Sequence, residues 1–325
     1  MIVKERKKSL KVLTLEALIR RIKQNHPKID QIKDTYATEN AGYRGETALN
    51  YYFQFLEMKE HLIFHNIRLL NDYGYYYQID TLILTPYFIV IAEMKNYAGR
   101  LFFDQDFHQL IRTIDDKVES FQCPILQVKR QETQFRAWLS KNKLPNIPIV
   151  SFVVISNLST IITADPKHIE KVKEKVIHAG YFPQKMEKHF STFRSEVIPL
   201  KELKKLARQL MKQNTKYKPE FLKQFQIDKS EILTGVHCPR CKVLGMVRIN
   251  GVWHCLHCRA DSKEAHLEAL QDFSLLIRST ITNKQLREFL HISSTSVANK
   301  LLSSLNLKFT GEKRGRIYEL PDFDE

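Results

Sequence analysis

The sequence predicts an α/β domain of about two hundred residues, then a small cysteine-stapled module and a helical one. Three observations predict it. Helix-period segments alternate with apolar strand-like runs through the N-terminal part of the chain. Two Cys-x-x-Cys pairs, Cys238/Cys241 and Cys255/Cys258, then fall close together. After them come two short capped helical patterns and a turn rich in Lys and Arg.

The elements follow in order. "LTLEALIRR" places Leu13, Leu15, Leu18 and Ile19 on one helical face, with Arg20 and Arg21 opposite. Pro27 interrupts it. A second helix is expected from Glu46 to Leu56, where Leu49, Tyr52, Phe53 and Leu56 share a face. Strand signals follow at "HLIFHNIRLL", "YYYQIDTLILT" and "FIVIAEMKN", with turns at Asp72–Gly74 and Pro86. "RLFFD" is a further short strand. "CPILQVKRQETQFRAWLSKN" reads as a helix with Pro124 in its first turn and Ile125, Val128, Phe135 and Leu139 on one side. "IPIVSFVVIS" reads as a buried strand, and "DPKHIEKVKEKVIHAG" as a helix closed by Gly180. The resulting order is α-β-β-β-α-β-α. The basic stretch from Lys201 reads as a solvated helical connector. The expected boundaries are 1–200, 201–233, 234–263 and 264–325.

The 325 residues carry 51 Lys+Arg against 36 Asp+Glu, a net charge of +15. That excess favours polyanions: nucleic acid first, an anionic membrane surface second. No apolar run approaches the roughly 20 residues of a membrane helix, and "MIVKERKKSL" lacks the pattern of a secretory leader. The expectation is a cytoplasmic protein with no membrane partner. Cys-x-x-Cys pairs there point to metal rather than disulfides. Cys123 stands alone as a small hydrophobe.

"QIDTLILTPYFIVIAEMKN" is core-like yet carries Asp80, Glu93 and Lys95. On a strand, Glu93 and Lys95 share a face, while Val90, Ala92 and Met94 point into the core. Asp80 ends the neighbouring strand, so a tight hairpin brings it close to Glu93. Two neighbouring carboxylates repel unless a cation sits between them. Mg²⁺ (or Mn²⁺), held by one or two carboxylates plus water and phosphate, would be that cation, and Lys95 would face the same water or phosphate. The plainer reading is a surface ion pair on a solvated edge.

"AGYRGE" at 41–46, "QID" at 78–80, "AEMKNYAG" at 92–99 and "CPILQ" at 123–127 together resemble the NERD, or nuclease-related, domain. The resemblance runs from about Leu13 to about Thr163. It implies a restriction-endonuclease-like PD-(D/E)xK core. It further implies a helix acid at Glu46 assisting the metal, a central metal ligand at Asp80, an acid-x-lysine pair at Glu93 and Lys95, and a glutamine at Gln127 near the phosphate. Glu46, Asp80 and Glu93 would be the Mg²⁺ ligands. Cys123 departs from the family's asparagine before proline, which bears on local capping rather than on chemistry. Apart from the resemblance, Glu46 reads as an acid at a helix start after Gly45, and Gln127 as an exposed helix residue.

Thirteen residues separate the cysteine pairs, and Asn250-Gly251 between them is a hairpin turn signal. Four thiolates at this spacing predict one structural Zn²⁺ in a zinc ribbon, with ligands Cys238, Cys241, Cys255 and Cys258. His237, His254 and His257 lie beside them and are expected to be exposed or in the hairpin. Such ribbons bind nucleic acid or contact protein. Arg240, Lys242, Arg248 and Arg259 tilt towards nucleic acid.

The last segment has a helix-turn-helix cadence. Thr282 caps a helix bearing Leu286, Phe289 and Leu290, and Ser293 or Ser294 caps the next. Ser294, Thr295, Ser296, Asn299, Lys300 and Ser303 are left outward as a groove-facing set. "KFTGEKRGRIYEL" resembles the wing of a winged helix, with Lys313, Arg314 and Arg316 at its tip for phosphates. Two functions fit. One is a metal-dependent nuclease, DNA being the expected polymer. The other is a non-catalytic nucleic-acid-binding or regulatory protein on the same scaffold.

Overall fold

The protein is described by a computed structural model covering residues 1–56 and 60–321, with Arg314 by its backbone alone. In chain order its elements are β1 (Ile2–Lys4), α1 (Leu10–Arg21), α2 (Ile29–Phe53), β2 (Leu62–Leu70), β3 (Tyr76–Leu84) and β4 (Ile89–Lys95). Next come β5 (Arg100–Asp104), β6 (Gln109–Ile114), β7 (Lys117–Gln122), α3 (Pro124–Lys141), β8 (Ile149–Ile155) and β9 (Ile161–Ala164). They are followed by α4 (Ile169–Lys175), β10 (Val176–His178), α5 (Phe182–Thr192), α6 (Leu200–Gln213), α7 (Phe221–Gln224), β11 (Val247–Ile249), β12 (Val252–His254) and β13 (Asp261–Ser262). The last are α8 (Ala265–Leu276), β14 (Thr280–Thr282), α9 (Asn283–Leu290), α10 (Thr295–Ser304), β15 (Phe309–Thr310) and β16 (Ile317–Glu319). These pack as two compact units: residues 1–7 with 40–217, and residues 8–39 with 218 onward. Among the described residues no helix is long and apolar enough to cross a membrane.

The first unit is mixed α/β. Its main sheet has the order β1-β2-β3-β4-β8-β10. β2, β3 and β4 are antiparallel neighbours, while β8 runs parallel to both β4 and β10. α3 and α6 cover one face, burying Ile79, Leu82 and Ile91 with Phe135, Trp138, Leu203 and Leu206. The other face buries Ile83, Val90, Ala92 and Met94 with Leu49, Phe182 and Met186. Two covered faces explain why β4 and β8 read as unbroken apolar runs rather than alternating ones. A second sheet, β7-β6-β5-β9, stands beside it.

Several expectations change here. The second helix starts at Ile29, well before Glu46, so Glu46 sits deep inside α2 and is not an acid at a helix start. The helix expected to reach Gly180 stops at Lys175, and Val176 and Ile177 are buried on β10 beside β8. A β-branched pair next to an open sheet edge gains more by pairing than by another helical turn. β1, β6, β7 and β9 carry no strong sequence signal. The basic segment read as a solvated connector buries Leu203, Leu206, Ala207 and Leu210 in α6, and only its Lys-bearing face meets solvent.

The second unit has two apolar clusters. One joins Leu15, Leu18 and Ile22 of α1 to Phe221, Phe225 and Leu276. The other joins the cysteine module to the C-terminal helices through Trp253, Phe273, Leu286, Leu290 and Leu302. Two small sheets, β11-β12-β13 and β14-β16-β15, frame it. Arg21, expected opposite the apolar face, is fully buried. Its Nε donates to Asp272 Oδ2 at 2.8 Å and its guanidinium also donates to the Gly235 carbonyl at 2.7 Å. Asp272 is likewise fully buried and accepts from Arg20 at 2.5 Å. Asp272→Ala should therefore cost about 3–5 kcal/mol, because it strands a buried guanidinium. Urea unfolding followed in this unit measures it, and a loss below about 1 kcal/mol would contradict the pairing.

Candidate active site and metal centre

The acids gather where the main sheet changes phase. On β3, Tyr77 and Ile79 enter the same cluster as Leu82 and Leu84, so the alternation slips between Ile79 and Leu82. The partner strand slips in the same place, between Phe64 and Ile67, and Asn66 there has a φ of +52°. Asp80 lies within this slip. It also lies one step beyond Thr81 and Ala92, the pair at which the β3–β4 ladder ends. Freed from the ladder, its carboxylate Oδ2 accepts from the Met94 amide at 3.0 Å. Burial, with Glu93 and Glu46 nearby, pushes the Asp80 carboxyl well above the usual carboxylate range.

Glu93 is 4% exposed on β4, facing α3. Its Oε1 accepts from Lys95 Nζ at 2.8 Å and from Gln127 Nε2 at 2.6 Å. Its Oε2 accepts from Gln131 Nε2 at 2.7 Å, and that amide also reaches the Gln78 carbonyl at 2.9 Å. Gln127 and Gln131 stand one turn apart on α3, so one helix face holds both oxygens of one carboxylate. Burial opposes the charge on Lys95, but Glu93 and Asp80 win and raise its pKa above the ordinary lysine value.

Glu46 approaches from α2. Its Oε2 accepts from Arg6 Nη1 at 2.5 Å, and the Arg6 side chain is fully buried. Arg6 Nη2 donates to Thr81 Oγ1 at 2.7 Å and to His65 Nδ1 at 2.9 Å. That second bond needs a neutral imidazole. Burial, then Arg6 and Lys4, lower the His65 pKa to about 3, which keeps it neutral. Burial outweighs Arg6 and Asn66 in raising the Glu46 carboxyl. Gly45, beside Glu46, lets α2 approach closely: an added Cβ would lie 2.3 Å from Asn96 Cβ and 2.8 Å from Ser156 Oγ. Gly45→Ala should destabilise this unit by about 1–3 kcal/mol, read from urea unfolding. An unchanged midpoint would mean that the contact relaxes freely.

Lys95, Gln127 and Glu93 are thus hydrogen-bonded together, and Asp80 and Glu46 lie near enough to perturb one another. The three acids do not share the tight spacing of the cysteine cluster. Among the described residues, only Cys238, Cys241, Cys255 and Cys258 bring three or more potential metal-ligand atoms within 4.8 Å of one another. Arg6, His65, Thr81 and Gln131 were not singled out from sequence. Gln131 had a signal, since it lies four residues after Gln127. Arg6 had none, since its approach depends on β1 pairing with β2.

In the second unit, Cys238 Sγ lies 3.6 Å from Cys258 Sγ, and Cys241 Sγ 3.6 Å from Cys255 Sγ. Zn–S bonds of about 2.3 Å at tetrahedral angles require sulfurs roughly 3.8 Å apart. The four cysteines therefore cluster in a way that suits a metal such as zinc. Each pair sits on a tight turn whose backbone closes from the residue after the second cysteine: Lys242 N to the Cys238 carbonyl and Arg259 N to the Cys255 carbonyl, both 2.9 Å. Lys242 and Arg259 take positive φ to do so. His254 is half-buried in the hairpin and bonds Asp261, and His257 is exposed. His237 is buried, contrary to the expectation of exposure.

Further on, Thr282 and Gln285 form a reciprocal cap for α9, His291 turns the chain in the left-handed region, and Ser294 caps α10. Ser294, Thr295, Ser296, Asn299 and Lys300 are exposed, with Asn299 tied to Asn283 at 2.7 Å. Lys313 and Arg316 are exposed in the turn between β15 and β16, Arg316 lying over the Phe309 ring. The Arg314 side chain falls outside the described residues.

The family model of NERD, described as nuclease-related domain, matches residues 41–156. An uncharacterized protein of Bacillus anthracis, pXO1-01, is 26% identical over 129 residues, which is 39% of this chain and 60% of that relative. No solved structure matches. The segment 41–156 that is similar to this family contains Glu46, Asp80, Glu93, Lys95 and Gln127.

Proposed function

We propose that the acid cluster of the first unit hydrolyses phosphodiester bonds in nucleic acid, DNA being the expected polymer, with a divalent cation such as Mg²⁺ or Mn²⁺. The observation that carries this reading is the convergence of Glu46, Asp80 and Glu93, far apart in sequence, beside the phase slip of β2 and β3. Burying acids together is costly unless a cation joins them. Their donor atoms are all oxygen, the set a hard cation prefers. The chemistry such a cation supplies is Lewis-acid polarisation of the phosphate. Glu46, Asp80 and Glu93 would hold it. Lys95, its ammonium kept charged, would orient the attacking water and meet developing negative charge on the phosphate. Gln127 and Gln131 would lock the Glu93 carboxylate in one orientation. The four-cysteine module is then a zinc ribbon with one structural Zn²⁺. The capped pair α9 and α10 with its basic hairpin is a winged helix, and Ser294, Thr295, Ser296, Asn299, Lys300, Lys313, Arg314 and Arg316 face nucleic acid.

A second reading keeps the binding modules and drops the chemistry. It is favoured by the pairing of Glu46 with Arg6 and of Glu93 with Lys95, which already neutralises two acids. Labelled single- and double-stranded DNA and RNA, incubated with Mg²⁺, Mn²⁺ or EDTA, decide between the two. Metal-dependent cutting that disappears in Asp80→Ala supports the nuclease. Binding without cutting supports the scaffold.

A further inference from the structure

The hairpin joining β2 to β3 carries an unusual surface. Tyr73 is 87% exposed, Tyr75 72% and Tyr76 47%, with Leu70 exposed beside them. A scattered exposed aromatic is ordinary, but three exposed tyrosines within four residues of one turn are a local concentration of aromatic surface. The turn is also rigid. Asn71 Oδ1 accepts from the amides of Tyr73 and Tyr75 at 3.0 and 2.9 Å, and the Asn71 amide donates to the Tyr75 carbonyl at 2.8 Å. The rings are thus presented on a fixed backbone, which limits the entropy lost when something stacks on them.

The strand that begins in this hairpin is the one that carries Asp80. Tyr76 and Gln78 lie on one face of β3, opposite in direction to the buried Tyr77 and Ile79, and Asp80 follows two residues later on the same strand, within the slip. Arg68 sits across from Gln78 in the register and shares that face. Its guanidinium lies 3.8 Å from the centre of the Tyr76 ring and 5.5 Å from that of Tyr217. Its Nη1 also donates to the Thr215 hydroxyl and the Lys216 carbonyl. Among the described residues no carboxylate pairs with it. An aromatic–guanidinium pair with an uncompensated positive charge suits a base on a ring face and a phosphate beside the guanidinium. Bases inside a duplex cannot offer their faces, whereas unpaired bases can. From Tyr76 to Asp80 is four residues, roughly 13 Å along the strand, a span of a few nucleotides.

We infer that Tyr73, Tyr75, Tyr76 and Arg68 form a stacking platform for unpaired bases, feeding single-stranded nucleic acid along β3 towards Asp80. As a substrate track it rests on the nuclease reading; as a binding surface it does not.

The test uses the full chain in EDTA with iodouracil-substituted single strands of about twelve nucleotides, as DNA and as RNA. Irradiation cross-links stacked aromatic residues, and mass spectrometry locates them. The expected result is cross-linking at Tyr73, Tyr75 or Tyr76, competed by unlabelled single strand and not by duplex. The DNA and RNA arms show which polymer is held. Tyr76→Ala should weaken single-strand binding by about five-fold or more, by anisotropy, and leave duplex binding unchanged. Arg68→Lys, which keeps the charge and loses the planar stack, should weaken it less. Cross-links confined to other parts of the chain, absence of single-strand binding, or a Tyr76→Ala variant that binds as wild type would overturn the platform. Hairpin cross-links in a protein that never cuts would remove the nuclease and leave the platform. Asp80-dependent cutting with an unlabelled hairpin would do the reverse.

Discussion

Asp80→Asn is expected to abolish metal-dependent cleavage, with a loss of at least about 100-fold, and at the same time to stabilise the metal-free protein. The second effect follows from the raised Asp80 carboxyl. Burial, then Glu93 and Glu46, disfavour its charged form in the folded chain. A carboxyl whose folded pKa exceeds its unfolded one costs stability wherever it is forced to ionise. That cost is absent below the ordinary carboxylate value of about 4, grows as pH rises towards the raised value, and is full above it. Asparagine carries no such cost. Thermal melts in EDTA should therefore show a gain for Asp80→Asn that is present at neutral pH and fades on acidification. Under the proposed function, added Mg²⁺ would bind only the folded wild type and so should narrow the gap. A gain independent of pH, or a variant that still cuts, would refute this account of Asp80.

Removing the metal from the cysteine cluster should have the larger structural effect. Structural zinc in such small modules contributes about 10–16 kcal/mol of apparent folding free energy, comparable to or above the roughly 5–15 kcal/mol that holds a whole domain. The module's hairpin strands have three residues each, too few to stand alone. Cys238, Trp253 and Cys255 share a cluster with Phe273, Leu286 and Leu302, so the loss should extend into α8–α10. Chelation, or Cys255→Ser, should shift Trp253 emission to the red as this 1%-exposed ring meets water. The other tryptophan, Trp138, belongs to the core of the first unit and should keep its environment. Elemental analysis should find one zinc per chain. A chain that purifies metal-free with Trp253 still buried would show that the four thiols fold the module unaided.

Much of this could be read before any coordinates. Four thiols in two tight turns specify their own geometry, because each Cys-x-x-Cys pair is a local structure and the hairpin turn between the pairs is short. The strands of the main sheet announce themselves because both of their faces are covered, which leaves long Val/Ile/Leu runs. Glu93 and Lys95 are recognisable because they interrupt such a run two residues apart. The caps of α9 and α10 are equally local: Thr282 with Gln285, and Ser294.

What escaped the sequence depends on partners distant along the chain. Arg6 reaches Glu46 only because a three-residue strand pairs with β2, some sixty residues away in sequence. Arg21 looks like a solvent-facing arginine until Asp272, about two hundred and fifty residues later, is folded beside it. Val176 and Ile177 continue a helical pattern and become strand because β8 has a free edge. The phase slip at Asp80 is the clearest case. Period-two alternation predicts a single facing for a strand, and only a neighbour that slips in the same place, at Asn66, lets β3 change faces without losing its ladder. That change leaves a buried acid, Asp80, within the slip of a core strand whose first residues lie beside exposed tyrosines. Local propensity and pattern determine which elements form; the long-range pairings that set register and bury charge determine which side chains meet.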